Sequence, residues 1–473
     1  MADGGSSERE EDSPRGRLIV VSNRIPKGND VPAGGLVHAI DDALRRTGGL
    51  WIGAGEPTDE AGSELTKIGD GAYERHTFAI THEEHDRYYL GYSNAVLWPL
   101  FHHRSDLLRI YERDFEAYVQ VNRRVARAIA RIAEPDDLIW IQDYHFLMVA
   151  HELRALGVAN RVGLFLHIPF PTASEVMALP QVAMLPAWVA AHDVFGVQTR
   201  RDVGSVREVL REDPKCQILN DGTWVREGRV FSVLAFPIGI DAESFARDAQ
   251  NASLPRLTLQ GNAPLLLGVD RLDYSKGLVD RFEAFGQYLE HRDPDSPKPT
   301  FLQIAPTSRG DVDAYRDIRE KLDQTAGAIN GRHSELDWTP LRYVNRHVDR
   351  TVIAGLYRRA DVCLVTPLAD GMNLVAKEFV AAQDHEDPGV LVLSHFAGAA
   401  EQFQQALMVN PFDHHAFALA IDRALRMPLE ERRERHAALR ENVFTETIGW
   451  WTDAFLARLA RAPRALDQIM RSI

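Results

Sequence analysis

Only two of the 473 residues are cysteine, Cys216 and Cys363. Two thiols are too few for a disulfide framework or a four-cysteine zinc site and fit a reducing compartment, so a cytoplasmic protein is expected. No apolar run approaches the ~18 residues of a membrane span, and no membrane partner is expected. Residues 1–16, rich in Ser, Gly, Glu and Asp, read as a disordered tail rather than a signal peptide. Basic residues are in deficit: 54 Lys and Arg against 68 Asp and Glu leave a net charge of −14, which argues against nucleic acid as a partner. A Walker Gly-x-x-x-x-Gly-Lys-Ser/Thr loop is missing, as is Gly-x-Gly-x-x-Gly after a strand, which disfavours P-loop enzymes and typical dehydrogenases. The 18 histidines include no metal-binding helical pair. The acidic pairs Asp293/Asp295 and Asp311/Asp313 sit in Pro-rich or charged turns, so neither a metal nor a cofactor is expected.

What remains is a long chain of ordinary globular composition, 45% hydrophobic and 26% charged, too large for one core. Short apolar runs alternate with helical stretches, the pattern of parallel βαβ units buried on both faces. The runs are Arg17–Val21, Leu138–Ile141, Val162–Leu166, Val194–Val197, Phe231–Phe236, Leu265–Val269, Phe301–Ile304, Asp361–Val365, Val390–Leu393 and Leu407–Val409. Amphipathic helices are predicted over Phe115–Ala133 and Val279–Leu289. The fold class is therefore α/β, two Rossmann-like domains facing a cleft. The division runs 17–238 for the N-terminal domain, 239–448 for the second and 449–473 for a terminal helical piece that packs on either domain, a return to the first included. Polar residues follow nearly every run, Ser22-Asn23-Arg24, Gln142-Asp143 and Asp270-Arg271 among them. Ligands of doubly wound sheets bind outside those carboxyl ends.

Two clusters suit a nucleotide diphosphate. Arg271-Leu272-Asp273-Tyr274-Ser275-Lys276-Gly277 follows a strand and carries a guanidinium and an ammonium five residues apart. Taken alone, it reads better as a solvated loop. Asp370-Gly371-Met372-Asn373-Leu374 then opens a helical pattern whose first N–H groups would face an anion, with Gly371 permitting close approach. Glu378, one to two turns in, is placed to accept from ribose hydroxyls, although an isolated helix glutamate is more commonly an exposed one.

These clusters, with Val20-Val21-Ser22-Asn23-Arg24, Ala33-Gly34-Gly35-Leu36, Ser93-Asn94-Ala95-Val96-Leu97-Trp98-Pro99, Asp143-Tyr144-His145, Leu166-His167-Ile168-Pro169-Phe170-Pro171 and Ala305-Pro306-Thr307-Ser308-Arg309-Gly310, resemble the trehalose-6-phosphate synthase family. The resemblance runs from Arg17 to the last helix. It implies the GT-B fold and a retaining transfer of glucose from a nucleotide-glucose, UDP-glucose first, to glucose 6-phosphate. By motif, Arg24, Tyr89, Trp98 and Arg309 would hold the acceptor, Trp51 would line its pocket and Asp143 would take its hydroxyls. Gly35 would let the N-terminal loop close over the donor, while His167 and Asp370 would contact the donor glucose. Arg271, Lys276 and the Met372–Leu374 backbone would bind the diphosphate, and Glu378 the ribose. The stretch Ile25–Pro32 departs from the pattern, being short with Pro26 and Pro32 near its ends. Arg342–Val348, near the expected base pocket, does not discriminate UDP from GDP or ADP. The family further implies a homo-oligomer, dimer or tetramer. No phosphatase-like domain follows, so a separate phosphatase is expected downstream. Two other readings share the fold: a relative joining cyclitols through a C–N bond, and a non-enzymatic sugar-phosphate sensor. Both are disfavoured by the nearly intact residue set, Arg271, Lys276 and Glu378 included.

Overall fold

The computed structural model describes residues 16–26, 35–69, 71–220, 222–254, 263–307 and 313–463. The predicted tail and Arg309 lie outside them. Continuous apolar segments build two sheets. The first contains β1 (Leu18–Val21), β2 (Gly49–Thr58), β3 (Leu65–Gly69), β4 (Glu74–Thr81) and β5 (Leu138–Gln142). It continues with β6 (Arg161–Phe165), β7 (Val194–Val197), β8 (Cys216–Ile218), β9 (Trp224–Arg226) and β10 (Arg229–Ala235). Their order is β3-β4-β2-β1-β5-β6-β7-β10-β9-β8. From β4 to β10 neighbouring strands are parallel, and β3, β9 and β8 add antiparallel edges.

The second sheet is parallel throughout: β11 (Leu265–Val269), β12 (Thr300–Ile304), β13 (Leu341–Val344), β14 (Val362–Val365), β15 (Val390–Ser394) and β16 (Leu407–Val409). Its order, β13-β12-β11-β14-β15-β16, is that of the Rossmann fold. The ten predicted strands all form, with ends moved by a residue or two. The helices Glu112–Ile132 and Leu278–His291 cover the predicted ones. Six strands escaped prediction, for a physical reason. β2 is interrupted by Gly and Pro, β3 and β4 present mixed burial, β8 and β13 are short edge pieces and β9 is a three-residue strand beside an edge, so none offers a continuous apolar run.

The chain passes between the sheets twice. It leaves the first after β10 through Phe236–Ile240 and comes back at Glu446–Thr447, where Ile448 N–H donates to Ile240 O at 3.1 Å. The two passages touch at Gly239, where a Cβ would lie 2.1 Å from Glu446 O. The helix Ile448–Ala460 then packs on the first sheet, burying Trp451, Phe455 and Leu459 completely. Phe455 stacks on Trp140 at 5.0 Å and meets Phe236 edge-on at 5.1 Å. Room for its ring comes from two strand glycines: a Cβ on Gly163 or Gly196 would stand 2.8 Å from it.

Phe455→Ala is expected to cost about 3–5 kcal/mol by leaving a cavity under β6 and β7. Gly163→Val should destabilise by about 1–3 kcal/mol through overpacking at the same place. Denaturant midpoints at constant slope would check both, and unchanged midpoints would refute the packing assignment.

Candidate active site

Each sheet has a topological switch point, between β1 and β5 in the first and between β11 and β14 in the second. Strand order reverses there, so the flanking loops splay apart and leave a crevice. The two crevices open into one cavity of about 430 Å³ lined by Ser22, Asn23, Arg24, Trp51, Tyr89, Trp98, Gln142, Asp143 and His167 from the first half. Arg271, Lys276 and Asp370 line it from the second. Nine residues singled out from sequence thus share one space.

On the first wall, Ser22 accepts from the Trp51 indole N–H at 2.8 Å, and Arg24 donates to the Tyr89 hydroxyl at 3.1 Å. Tyr89 comes from a π-helical stretch, His85–Leu97, and stacks on His145 at 5.8 Å. Such winding is rare and favours functional sites. Asp143, at the end of β5, adopts φ 71°, a left-handed conformation that costs a non-glycine residue energy. There its N–H donates to Phe165 O and its carboxylate accepts from His167 N–H at 3.3 Å. The His167 ring sits against Phe165 and Trp451, and burial pushes its pKa down to about 3. It is therefore neutral, with Nε2 2.9 Å from Gln142 Oε1.

The facing wall is built on two loops. Lys276 precedes Gly277, which has φ 62° and whose Cβ would lie 2.3 Å from Thr366 O, so only glycine fits the turn that aims the lysine. Lys276 is ion-paired with Asp370, whose carboxylate also accepts from Asn373 Nδ2 at 2.9 Å. Asn373 itself has φ 71° and stands at the N-terminal boundary of the helix Leu374–Ala382, its side chain making no cap bond. A Cβ on Gly371 would stand 2.1 Å from His167 O, so this glycine serves the close approach of the two walls. Sequence reading had assigned it to an approaching anion.

Met372, Asn373, Leu374 and Glu378 continue from Asp370 but do not line the cavity. Burial raises the Glu378 carboxyl to about 7, against the opposing pull of Arg350. Nearby, a groove of about 480 Å³ has Leu302, Ile304, Val344, Val352 and Leu356 at its floor and Arg342, Arg346 and His347 around it. Gly35 heads the helix Gly35–Thr47, whose Val37 and Ile40 reach the cavity. Missed from sequence was His102, which lines the cavity and lies under Trp98 with ring centroids 4.1 Å apart. Its spacing of four from Trp98 in a helical segment was the available signal. Among the described residues no group of three or more His, Cys, Asp or Glu is placed to hold a metal ion, and no helix is long and apolar enough to cross a membrane.

The cavity thus sets three cations, Arg24, Arg271 and Lys276, beside two carboxylates and several aromatic faces. That chemistry suits phosphorylated sugars: cations for phosphate, carboxylates for hydroxyls and rings for pyranose faces. The model of glycosyltransferase family 20 matches residues 17–461. A trehalose-6-phosphate synthase of Enterobacter sp. (strain 638) is 44% identical over 459 residues, spanning 96% of this chain and 97% of that protein. A solved E. coli structure, described as trehalose-6-phosphate bound with UDP-2-fluoro glucose, superposes with a TM-score of 0.90 at 44% identity, covering 94% of this chain and 99% of that one. A Burkholderia xenovorans α,α-trehalose-phosphate synthase (UDP-forming) in complex with glucose-6-phosphate gives 0.86 at 42%, covering 94% and 100%. Matched over nearly its whole length by the family model and by these relatives, the chain belongs to glycosyltransferase family 20.

Proposed function

We propose that this protein transfers glucose from UDP-glucose to glucose 6-phosphate with retention, giving α,α-trehalose 6-phosphate and UDP. The observation that carries the reading is the single cavity between two switch points, cationic on both walls, in a chain whose relatives are UDP-forming synthases. Arg24, with Arg309, takes the acceptor phosphate, and Tyr89 orients Arg24. Trp51 and Trp98 border the acceptor sugar, and Asp143 accepts its hydroxyls. Gly35 allows the preceding loop to approach the donor.

On the donor side the diphosphate draws Lys276 away from Asp370, which turns to a glucose hydroxyl. His167, held neutral, offers hydrogen bonds to the same sugar without adding positive charge beside an oxocarbenium-like centre. The Met372–Leu374 N–H groups at the start of the helix Leu374–Ala382 face the diphosphate, Glu378 takes the ribose and the neighbouring apolar groove takes the base. As the glucose C1–O bond to the diphosphate breaks, the acceptor O1 bonds to C1 on the same face and its proton passes to the leaving phosphate oxygen. Asp143 and Asp370 are engaged by His167 N–H and by Lys276 and Asn373, which supports their use as hydrogen-bond acceptors rather than as the paired nucleophile and acid of retaining glycosidases. Arg271 and Lys276 stabilise charge developing on the leaving group, and closure of the cleft excludes water.

The test is product analysis with UDP-, GDP- and ADP-glucose and glucose 6-phosphate, scored by NMR for the α,α-1,1 linkage. UDP-glucose should be the best donor, and Arg271→Ala should lower turnover about a hundredfold or more. Absence of product from every donor, or a covalent glucosyl-enzyme on Asp143 or Asp370, would refute the account.

A pH dependence follows from Glu378. Its protonated form is favoured below about 7, and only the carboxylate can accept from both ribose hydroxyls at full strength. UDP-glucose affinity should therefore rise as pH increases through about 7 and flatten above it. Calorimetry on Glu378→Gln should show weaker binding with that rise removed.

A further inference from the structure

Arg271 is exposed at the end of β11, and among the described residues it makes no hydrogen bond or ion pair. Its charge acts on the buried Asp273 carboxylate two residues on, an attraction that without a hydrogen bond does not fix the direction of a side chain with several rotatable bonds. Its guanidinium nevertheless lies over the indole of Trp98, with Cζ 5.5 Å from the ring centroid. Trp98 belongs to the opposite half of the molecule, just after the π-helical stretch. The indole itself has little freedom. It is 5% exposed, backed by the His102 ring at 4.1 Å and flanked by Tyr144 at 5.9 Å. His102 Nδ1 is 2.8 Å from Trp98 O, which ties the lower ring to the same helical turn. One face of the indole is thus closed by His102, and Arg271 rests over the ring across the cleft.

Building on the donor-site reading above, we infer that Trp98 is a positioning residue for the donor diphosphate: its indole holds the Arg271 guanidinium across the cleft in the direction the leaving phosphate needs. Sequence resemblance gives Trp98 to the acceptor pocket alone, and the cation–π contact adds a second task. A planar guanidinium stacks on an indole face and still presents N–H groups at its edge, which an ammonium cannot do in the same way. Burial pushes the His102 pKa down to about 4, so the ring beneath the indole is neutral and does not compete with Arg271. Because ring and cation come from opposite walls, Arg271 is aligned only while the walls are together. Leaving-group stabilisation is thereby tied to a closed cleft, the state in which water is excluded.

The experiment is a double-mutant cycle on UDP affinity, measured by calorimetry with no acceptor present, using wild type, Trp98→Leu, Arg271→Ala and the double variant. A residue serving only the acceptor leaves UDP binding unchanged. Trp98→Leu should instead weaken it about three- to thirtyfold, the range of a cation–π contact between exposed and desolvated settings. The double variant should bind no more weakly than Arg271→Ala, and Trp98→Phe, which keeps an aromatic face, should recover most of the loss. Wild-type affinity in Trp98→Leu, or losses that simply add, would overturn the inference. Should Trp98→Leu fold poorly by thermal melting, Trp98→Met against Arg271→Ala carries the same cycle, with the same additivity criterion. A wild-type protein that does not bind UDP overturns the donor-site reading itself and this inference with it.

Discussion

The Lys276–Asp370 ion pair is the contact around which the site is arranged. Both side chains are largely shielded, 12% and 13% exposed, so removing either one leaves an uncompensated charge in a poorly hydrated place. Each partner has a backbone built to deliver it. Lys276 depends on the left-handed Gly277 pressed against Thr366 O, and Asp370 on a loop bridged to Ala397 and followed by Gly371 under His167 O. Lys276 and Asp370 neutralise one another where they line the cavity. A substrate carrying both phosphate and hydroxyl groups can satisfy the two halves separately, whereas a plain anion or a plain sugar satisfies one and strands the other.

Two sheets that share one kind of reversal in strand order place the polar loops of both halves at one cavity. A parallel sheet gathers its polar ends along one edge, and the reversal of strand order opens that edge at one place only. Setting two sheets edge to edge brings Asp143 and His167 within reach of the loops that hold Arg271 and Asp370, with no element dedicated to joining them.

How much of this was legible in the sequence follows from burial. Strands buried on both faces have no choice but to be apolar throughout, so Leu265–Val269 and Val362–Val365 announce themselves, and the polar residues after them mark the crevice. Edge strands such as Leu341–Val344 keep one side in water and lose that signature. Within the site, Arg24, Asp143, Arg271, Lys276 and Asp370 were visible because charge at a strand end is conspicuous. His102 was not, since its importance lies in what it stacks on, a relation between side chains that linear spacing hints at but does not establish. What the Gly371 backbone abuts was hidden likewise, because its neighbour, the His167 carbonyl, is about two hundred residues away in the chain.

The meeting of the two chain passages at Gly239 has a mechanical consequence. A single tether would let the halves twist, slide and swing independently. Two tethers bearing on one another at a residue with no side chain act as a door hinge: they allow rotation about the line joining them and resist shear along it. A side chain at position 239 would wedge the hinge open at its axis, far from any substrate, and the misalignment would grow with distance from the pin, greatest where the two walls must meet.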